Sequence, residues 1–221
     1  SQRHLQESVR QFKQDMEALS QVDTHQNIVR AYDFFKDPDV DDTYYLALEW
    51  VEGETLRGII DQGKEVTVGE SLRYLAPVAD ALAYCHDQGI IHRNLTPQAI
   101  YVTEEGRVKV GDFDFARVPA IGRTITKTNE PLVVNKYVAP EELENPRGVD
   151  ERADLYSLGV VWYDLLLQRP KDEPVRHALI AQSDLPELAR QLLRQLLASH
   201  PGERPTSAAE GQEWLELLEQ E

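Results

Sequence analysis

Three short stretches of the chain gather side chains able to do acid–base, metal or phosphate chemistry. His92-Arg93-Asn94-Leu95 sets an imidazole, a guanidinium and an amide side by side, and Asp112-Phe113-Asp114 places two carboxylates around one ring. Asp112 is a metal-ligand candidate or a carboxylate hydrogen-bonded at a loop end. Asp114 is a displaced acid or base, or more simply a solvated loop carboxylate. Further on, Thr124, Thr126 and Thr128 offer hydroxyls that phosphorylation could turn into partners for Arg93; a solvated polar loop is the simpler reading. His25, His86 and His177 are scattered and show no metal-ligand spacing. The single cysteine, Cys85, has no partner for an internal disulfide and suits a small buried residue in a reducing cytoplasm. The acidic run at residues 39–42 reads as a solvated turn, with a cation or a basic partner as the alternative.

The elements that must position these residues change character along the chain. Leu5, Val9, Phe12, Met16 and Leu19 recur at helical spacing and predict an amphipathic first helix. Residues 28–35 and 43–51 read as two strands joined by an acidic turn. From Thr67 the pattern is helical: Thr67 and Glu70 predict a capping box, and Leu72, Leu75, Val78, Ala79, Leu82 and Cys85 mark one buried face. Residues 100–102 and 108–110 predict a short hairpin turning at Glu104-Glu105-Gly106. Residues 111–139 carry little periodicity and read as a long functional loop. Leu155 through Leu167 covers nearly every face of one helix with apolar residues, predicting burial all round. Leu188, Leu192, Leu193, Leu196 and Leu197 give the next stripe, and Trp214, Leu215, Leu217 and Leu218 the last.

Composition narrows the partners. With 41% hydrophobic and 28% charged residues among 221, the chain can bury a sizeable core without disulfides. Its formal charge of -16 argues against nucleic acid, whose phosphates need clustered Lys and Arg, and against anionic membranes. No apolar run approaches the roughly 20 residues that span a bilayer, and the first ten residues lack a signal-peptide core.

The order of motifs is more specific than any one of them. His92-Arg93-Asn94-Leu95 precedes a hairpin, Asp112-Phe113-Asp114 follows it, Ala139-Pro140-Glu141 closes the long loop, Asp154 opens the apolar helix, and Arg204 lies near the end. This series resembles the protein-kinase family over essentially the whole chain. The resemblance implies an α+β fold: residues 1–51 as a partial N-lobe holding an αC-like helix, two strands and the start of the hinge, and residues 52–221 as a mostly helical C-lobe. It implies that Arg93 organises the activation segment, that Glu141 pairs with Arg204, and that Asp154 holds the catalytic-loop backbone. His92, Phe113 and Leu19 would stack in the spine between lobes, with Leu48 at the gatekeeper position and Glu49 and Val51 in the nucleotide-side hinge.

The positions that carry chemistry in the family are filled differently. Asn94 stands where the family has the Asp that accepts the substrate proton, and a neutral amide is no general base. Thr96 replaces a phosphate-contacting Lys, and Ala99 replaces the metal-binding Asn, so a methyl group stands where a lone pair is needed. Asp114 replaces a switch Gly, Val134 a Thr that braces the loop, and Asp15 a longer Glu on the αC-like helix. Tyr101 stands where a Leu usually floors the adenine. The family's Gly-rich loop and strand Lys lie before its αC helix, where this chain begins.

These departures predict a pseudokinase module acting through protein–protein association or allosteric regulation, with no intact catalytic set and at most weak binding of ATP and magnesium through Glu49, Val51 and Asp112. A neighbouring domain, a second copy or another protein would cover the partial N-lobe. Two alternatives stay open: an ATP-dependent Ser/Thr kinase or other nucleotide-using enzyme whose missing parts lie upstream, and a nucleotide sensor without turnover. Between Pro170 and Leu185 little room is left for the family's αG helix, so residues 174–182 predict an abbreviated one.

Overall fold

The computed structural model describes residues 25–36, 40, 44–113, 117–118, 123–124, 135–145, 148–170 and 172–218. The expected first helix, with Asp15 and Leu19, lies outside them, as do Asp114, Val134, Thr126 and Thr128. What they show is an α+β architecture in which a helical body carries short β elements. Strands β1 (Ala31–Lys36) and β2 (Tyr44–Leu48) form an antiparallel pair. Strands β3 (Gly53–Thr55), β4 (Ile100–Thr103) and β5 (Val108–Val110) form a three-stranded antiparallel sheet in that spatial order. Two-residue strands β6 (Arg117–Val118) and β7 (Arg123–Thr124) pair within the expected loop. The helices are α1 (Leu56–Asp61), α2 (Val68–Asp87), α3 (Pro140–Glu144), α4 (Arg152–Leu167), α5 (His177–Gln182), α6 (Glu187–Leu196) and α7 (Ala208–Leu218).

Local chemistry explains the long helices. At the start of α2 the Thr67 hydroxyl accepts the Glu70 N–H at 3.2 Å while the Glu70 carboxylate accepts the Thr67 N–H at 2.9 Å, so two otherwise orphaned donors are satisfied. Gly89 ends the helix in the left-handed region (φ 70°), a conformation that costs glycine nothing. Helix α4 is the centre of the body, and Trp162 and Tyr163 on it are completely buried. The Trp162 Nε1–H donates to Ser71 Oγ at 2.8 Å, tying α4 to α2. Gly159 lets α6 approach α4, because a Cβ there would stand 2.7 Å from Leu196 Cβ. Leu192, Leu193, Leu196 and Leu197 fill the space between these helices.

Several expectations need correction. The first two strands are shorter than 28–35 and 43–51: Ile28 instead bridges in parallel to Val110, and residues 49–51 are extended connection. Bridging puts the first buried apolar residue of the hairpin on β5, which takes it out of the β1–β2 ladder. Hydrophobic patterning also missed β3, α1 and α3, which are too short to show a period. Leu217, counted in the last apolar stripe, is half exposed. The abbreviated helix expected in 174–182 is α5, only six residues long.

The β1–β2 pair leans on the β3–β5 sheet. Val29 N–H donates to Val110 O and Val110 N–H to Asn27 O, both at 2.8 Å, and the Asn27 amide donates to Val108 O. Glu49 accepts from Lys109 at 2.8 Å and from the Arg30 N–H at 3.1 Å. Among the described residues, six of the eight large hydrophobic side chains exposed to solvent lie between residues 32 and 50, on or beside this pair.

Candidate functional site

The loop before β4 is organised from below by one carboxylate. Asp154, in the first turn of α4, is completely buried. Its oxygens accept the backbone N–H of His92 and of Arg93 and the Nε2–H of His86, each at 2.8 Å. Burial alone would push this carboxyl up, but the His86 hydrogen bond and charge, with the Arg93 N–H, hold it below its usual range. Three donors on one buried carboxylate fix the loop's path, including the left-handed backbone of Arg93 (φ 62°), a conformation that costs a non-glycine residue about 1 kcal/mol or more.

His92 links this loop to the next. Its Nδ1 accepts the Asn94 N–H at 3.2 Å, which leaves Nε2 to donate to Gly111 O at 2.8 Å. Complete burial pushes the imidazole down, and that neutral tautomer satisfies both nitrogens. The ring packs against Phe113 with centroids 4.3 Å apart at 53°. Gly111 N–H returns to Ala99 O at 2.8 Å. The two loops are therefore knitted by three consecutive contacts, and Asp112, itself left-handed at φ 58°, is presented between Gly111 and Phe113.

The far wall is built on Arg204, whose side chain is fully buried. Its guanidinium donates to Glu141 at 2.6 and 2.8 Å, to Arg152 O at 2.9 Å, to Ala198 O at 2.9 Å and to Ser199 O at 3.4 Å. All five donors are used, as a buried guanidinium requires. Glu142, next in sequence, accepts the Ala139 N–H and lies 3.7 Å from Arg93 Nε. Burial nonetheless pushes its carboxyl up to about 7, because the Arg93 contact is too long to offset desolvation.

The reactive positions sit within this frame. Asn94 is half-buried, with its backbone N–H held by His92. The Thr96 carbonyl accepts the Ala99 N–H at 3.0 Å, and Ala99 is completely buried, its methyl group offering no ligand. Asp112 thus supplies a carboxylate where the family's two-metal arrangement needs a carboxylate and an amide. No three His, Cys, Asp or Glu side chains converge into a metal site among the described residues. This donor set does not fit the two-metal group. On the nucleotide side, the Glu49 side chain is already engaged by Lys109, Val51 is half-buried, and Leu48 is exposed at the end of β2. The Tyr101 ring lies 3.0 Å from where a Gly111 Cβ would stand, so it presses against the backbone just before Asp112.

Sequence reasoning missed one polar cluster, around Asp164. Its one signal in the sequence is an acidic residue in an otherwise apolar stretch of α4. Its carboxylate accepts from Lys136 Nζ and from the Tyr137 hydroxyl, each at 2.6 Å, with Arg57 Nη1 3.7 Å away. No helix among the described residues is long and apolar enough to cross a membrane.

Comparison with known proteins agrees with this arrangement. Residues 1–215 match the protein kinase domain family. The chain is 34% identical over 163 residues to the serine/threonine-protein kinase PrkC of Bacillus subtilis, covering 74% of this chain and 24% of that protein. It is 38% identical over 160 residues to a probable serine/threonine-protein kinase of Clostridium perfringens, covering 72% and 22%. It is 33% identical over 181 residues to the serine/threonine-protein kinase PknB of Mycobacterium tuberculosis, covering 75% and 29%. The chain thus spans about a quarter of the length of the curated relatives it matches. With the buried Asp154 and Arg204 frame and a match over nearly its whole length, the chain belongs to the protein kinase domain family.

Proposed function

We propose that this chain is a pseudokinase module: it keeps the kinase scaffold and works by binding protein, without transferring phosphate. The observation that carries this reading is Ala99, a buried methyl group at a position where phosphoryl transfer needs a metal-ligating amide, together with Asn94 in place of the base. Replacing a general base typically costs about 10²–10⁴ in rate, and loss of metal neutralisation adds to it. The exposed side chains of Tyr32, Phe35, Tyr45 and Trp50 favour association through the small lobe, by upstream sequence, a second copy or another protein. ATP and magnesium would bind weakly, with a Kd of about 1 mM or more, corresponding to roughly -4 kcal/mol.

One finding favours the alternative, an ATP-dependent Ser/Thr kinase completed by sequence upstream: the relatives are named as kinases of that class. Labelled ATP with magnesium or manganese, given to the full-length protein with generic Ser/Thr substrates, separates the two. The pseudokinase reading expects no transfer above background. Sustained transfer that Asp112→Ala abolishes establishes the kinase instead.

A further inference from the structure

Strand β4 buries Ile100 and Val102 in the body and turns Tyr101 and Thr103 to its other face, where Tyr101 is half-buried. The register pairs Tyr101 with Lys109 on β5, so the two side chains share that face. Lys109 Nζ donates to Glu49 at 2.8 Å and to Ile28 O at 3.4 Å, which aims the face at the β1–β2 pair. The Tyr101 ring stands in the same angle. Gly111 follows β5, and a Cβ on it would meet Tyr101 Cε2 at 3.0 Å, Val29 Cγ2 at 3.2 Å and Tyr101 Cδ2 at 3.6 Å. Gly111 does not adopt a positive φ, so what it supplies is space rather than backbone freedom. The edge of the phenol ring uses that space together with Val29.

The ring is therefore bracketed. Its cross-strand partner is tied to Glu49, and its edge lies on the residue before Asp112, two of the three positions through which the resemblance would bring a nucleotide. Packing is too close for a second planar ring to share that angle without displacing the first. We infer that Tyr101, fitted against Gly111, is this chain's own occupant of the cleft beside Glu49, and that its ring, separately from the altered positions 94 and 99, keeps a purine out. This inference rests on the reading that ATP binds weakly and assigns that weakness to one side chain. The competing account is a ring that only packs the hairpin on the body and has no bearing on ligands.

Ligand-observed NMR titration of the full-length protein with adenosine, which carries no phosphate, separates the two. Tyr101→Leu is expected to bind adenosine about tenfold tighter than wild type, because overpacking against a well-fitted ring costs roughly that factor. Tyr101→Phe keeps the ring and is expected to bind as wild type does. Equal adenosine affinity in Tyr101→Leu and wild type overturns the inference, as does a gain in Tyr101→Phe that matches the one in Tyr101→Leu. The fit is tested without ligand by Gly111→Ala, which is expected to lower the domain's Tm by about 5 °C, with about half of that loss recovered in Tyr101→Leu/Gly111→Ala. If Tyr101→Leu does not fold, an unchanged Tm in Gly111→Ala overturns the inference by itself. Labelled-ATP transfer by the same proteins reports on the pseudokinase reading alone. Tighter adenosine binding without transfer supports both, whereas transfer by the wild type removes that reading and leaves the adenosine comparison to decide on Tyr101.

Discussion

Two sets of positions in this chain lie within one loop's length of each other and have been treated oppositely. The buried supports, Asp154 and Arg204, have every oxygen or N–H engaged and hold backbone that would otherwise be strained. The positions that the resemblance aligns with a base, a cation and a metal ligand, 94, 96 and 99, carry an amide, a hydroxyl and a methyl. A protein losing its fold would lose the expensive buried charges first, since an unpaired one costs several kcal/mol. On the proposed pseudokinase reading, retention of the supports fits a surface or a shape that is still in use.

That contrast can be broken by substitution, and the largest effect is expected at the supports. Asp154→Ala orphans three donors and should lower stability by about 4 kcal/mol, read by denaturant unfolding. Arg204→Ala should cost about 3 kcal/mol, with Glu141 partly rescued by its residual exposure. A loss below 1 kcal/mol at either position would mean the supports are ornamental.

Glu142 gives the next effect, and its sign is opposite to that of an ordinary paired carboxylate. Its folded value lies near 7 against 4.5 unfolded, so the folded state binds its proton more tightly. Its contribution is full below pH 4.5, falls as pH rises through 7 and is gone above it, a loss of about 2–3 kcal/mol. Glu142→Gln should flatten that decline. Asp154, held low, contributes in the other sense and loses its contribution only as pH falls through its folded value. A stability profile of Glu142→Gln parallel to wild type between pH 5 and pH 8 would contradict the assignment.

Gly159→Ala should cost about 1–3 kcal/mol through overpacking against Leu196, a smaller and purely steric loss. At the reactive positions the expectation is near zero: Asn94→Ala, at a half-buried side chain outside the supporting network, should stay within about 0.5 kcal/mol of wild type.

The sequence revealed these two sets unequally. The supports were legible because each is a charged residue at a marked place, Asp154 at the head of an apolar helix and Arg204 beside a proline, within an ordered series of motifs. The long helices were legible from the capping box at Thr67 and the apolar stripe after it. What escaped was local or distant in the wrong way. Strand β3 and helices α1 and α3 span too few residues to display a period, and Ile28 left its expected strand because pairing with Val110 buries it better. The Asp164 cluster joins residues 57, 136, 137 and 164, and no spacing rule links positions that far apart. The resemblance places Glu49 in the hinge; that its carboxylate is engaged by Lys109 and the Arg30 N–H shows only once the hairpin is docked.

The most direct measurement compares phosphoryl transfer by the full-length protein with transfer by the double variant Asn94→Asp/Ala99→Asn, under labelled ATP and magnesium. Residues of such a site act as a unit, so restoring two of them should recover little, and both proteins are expected to remain at background. Robust transfer by the wild type would contradict the pseudokinase reading outright, and robust transfer by the double variant alone would show that positions 94 and 99 are the whole of the defect.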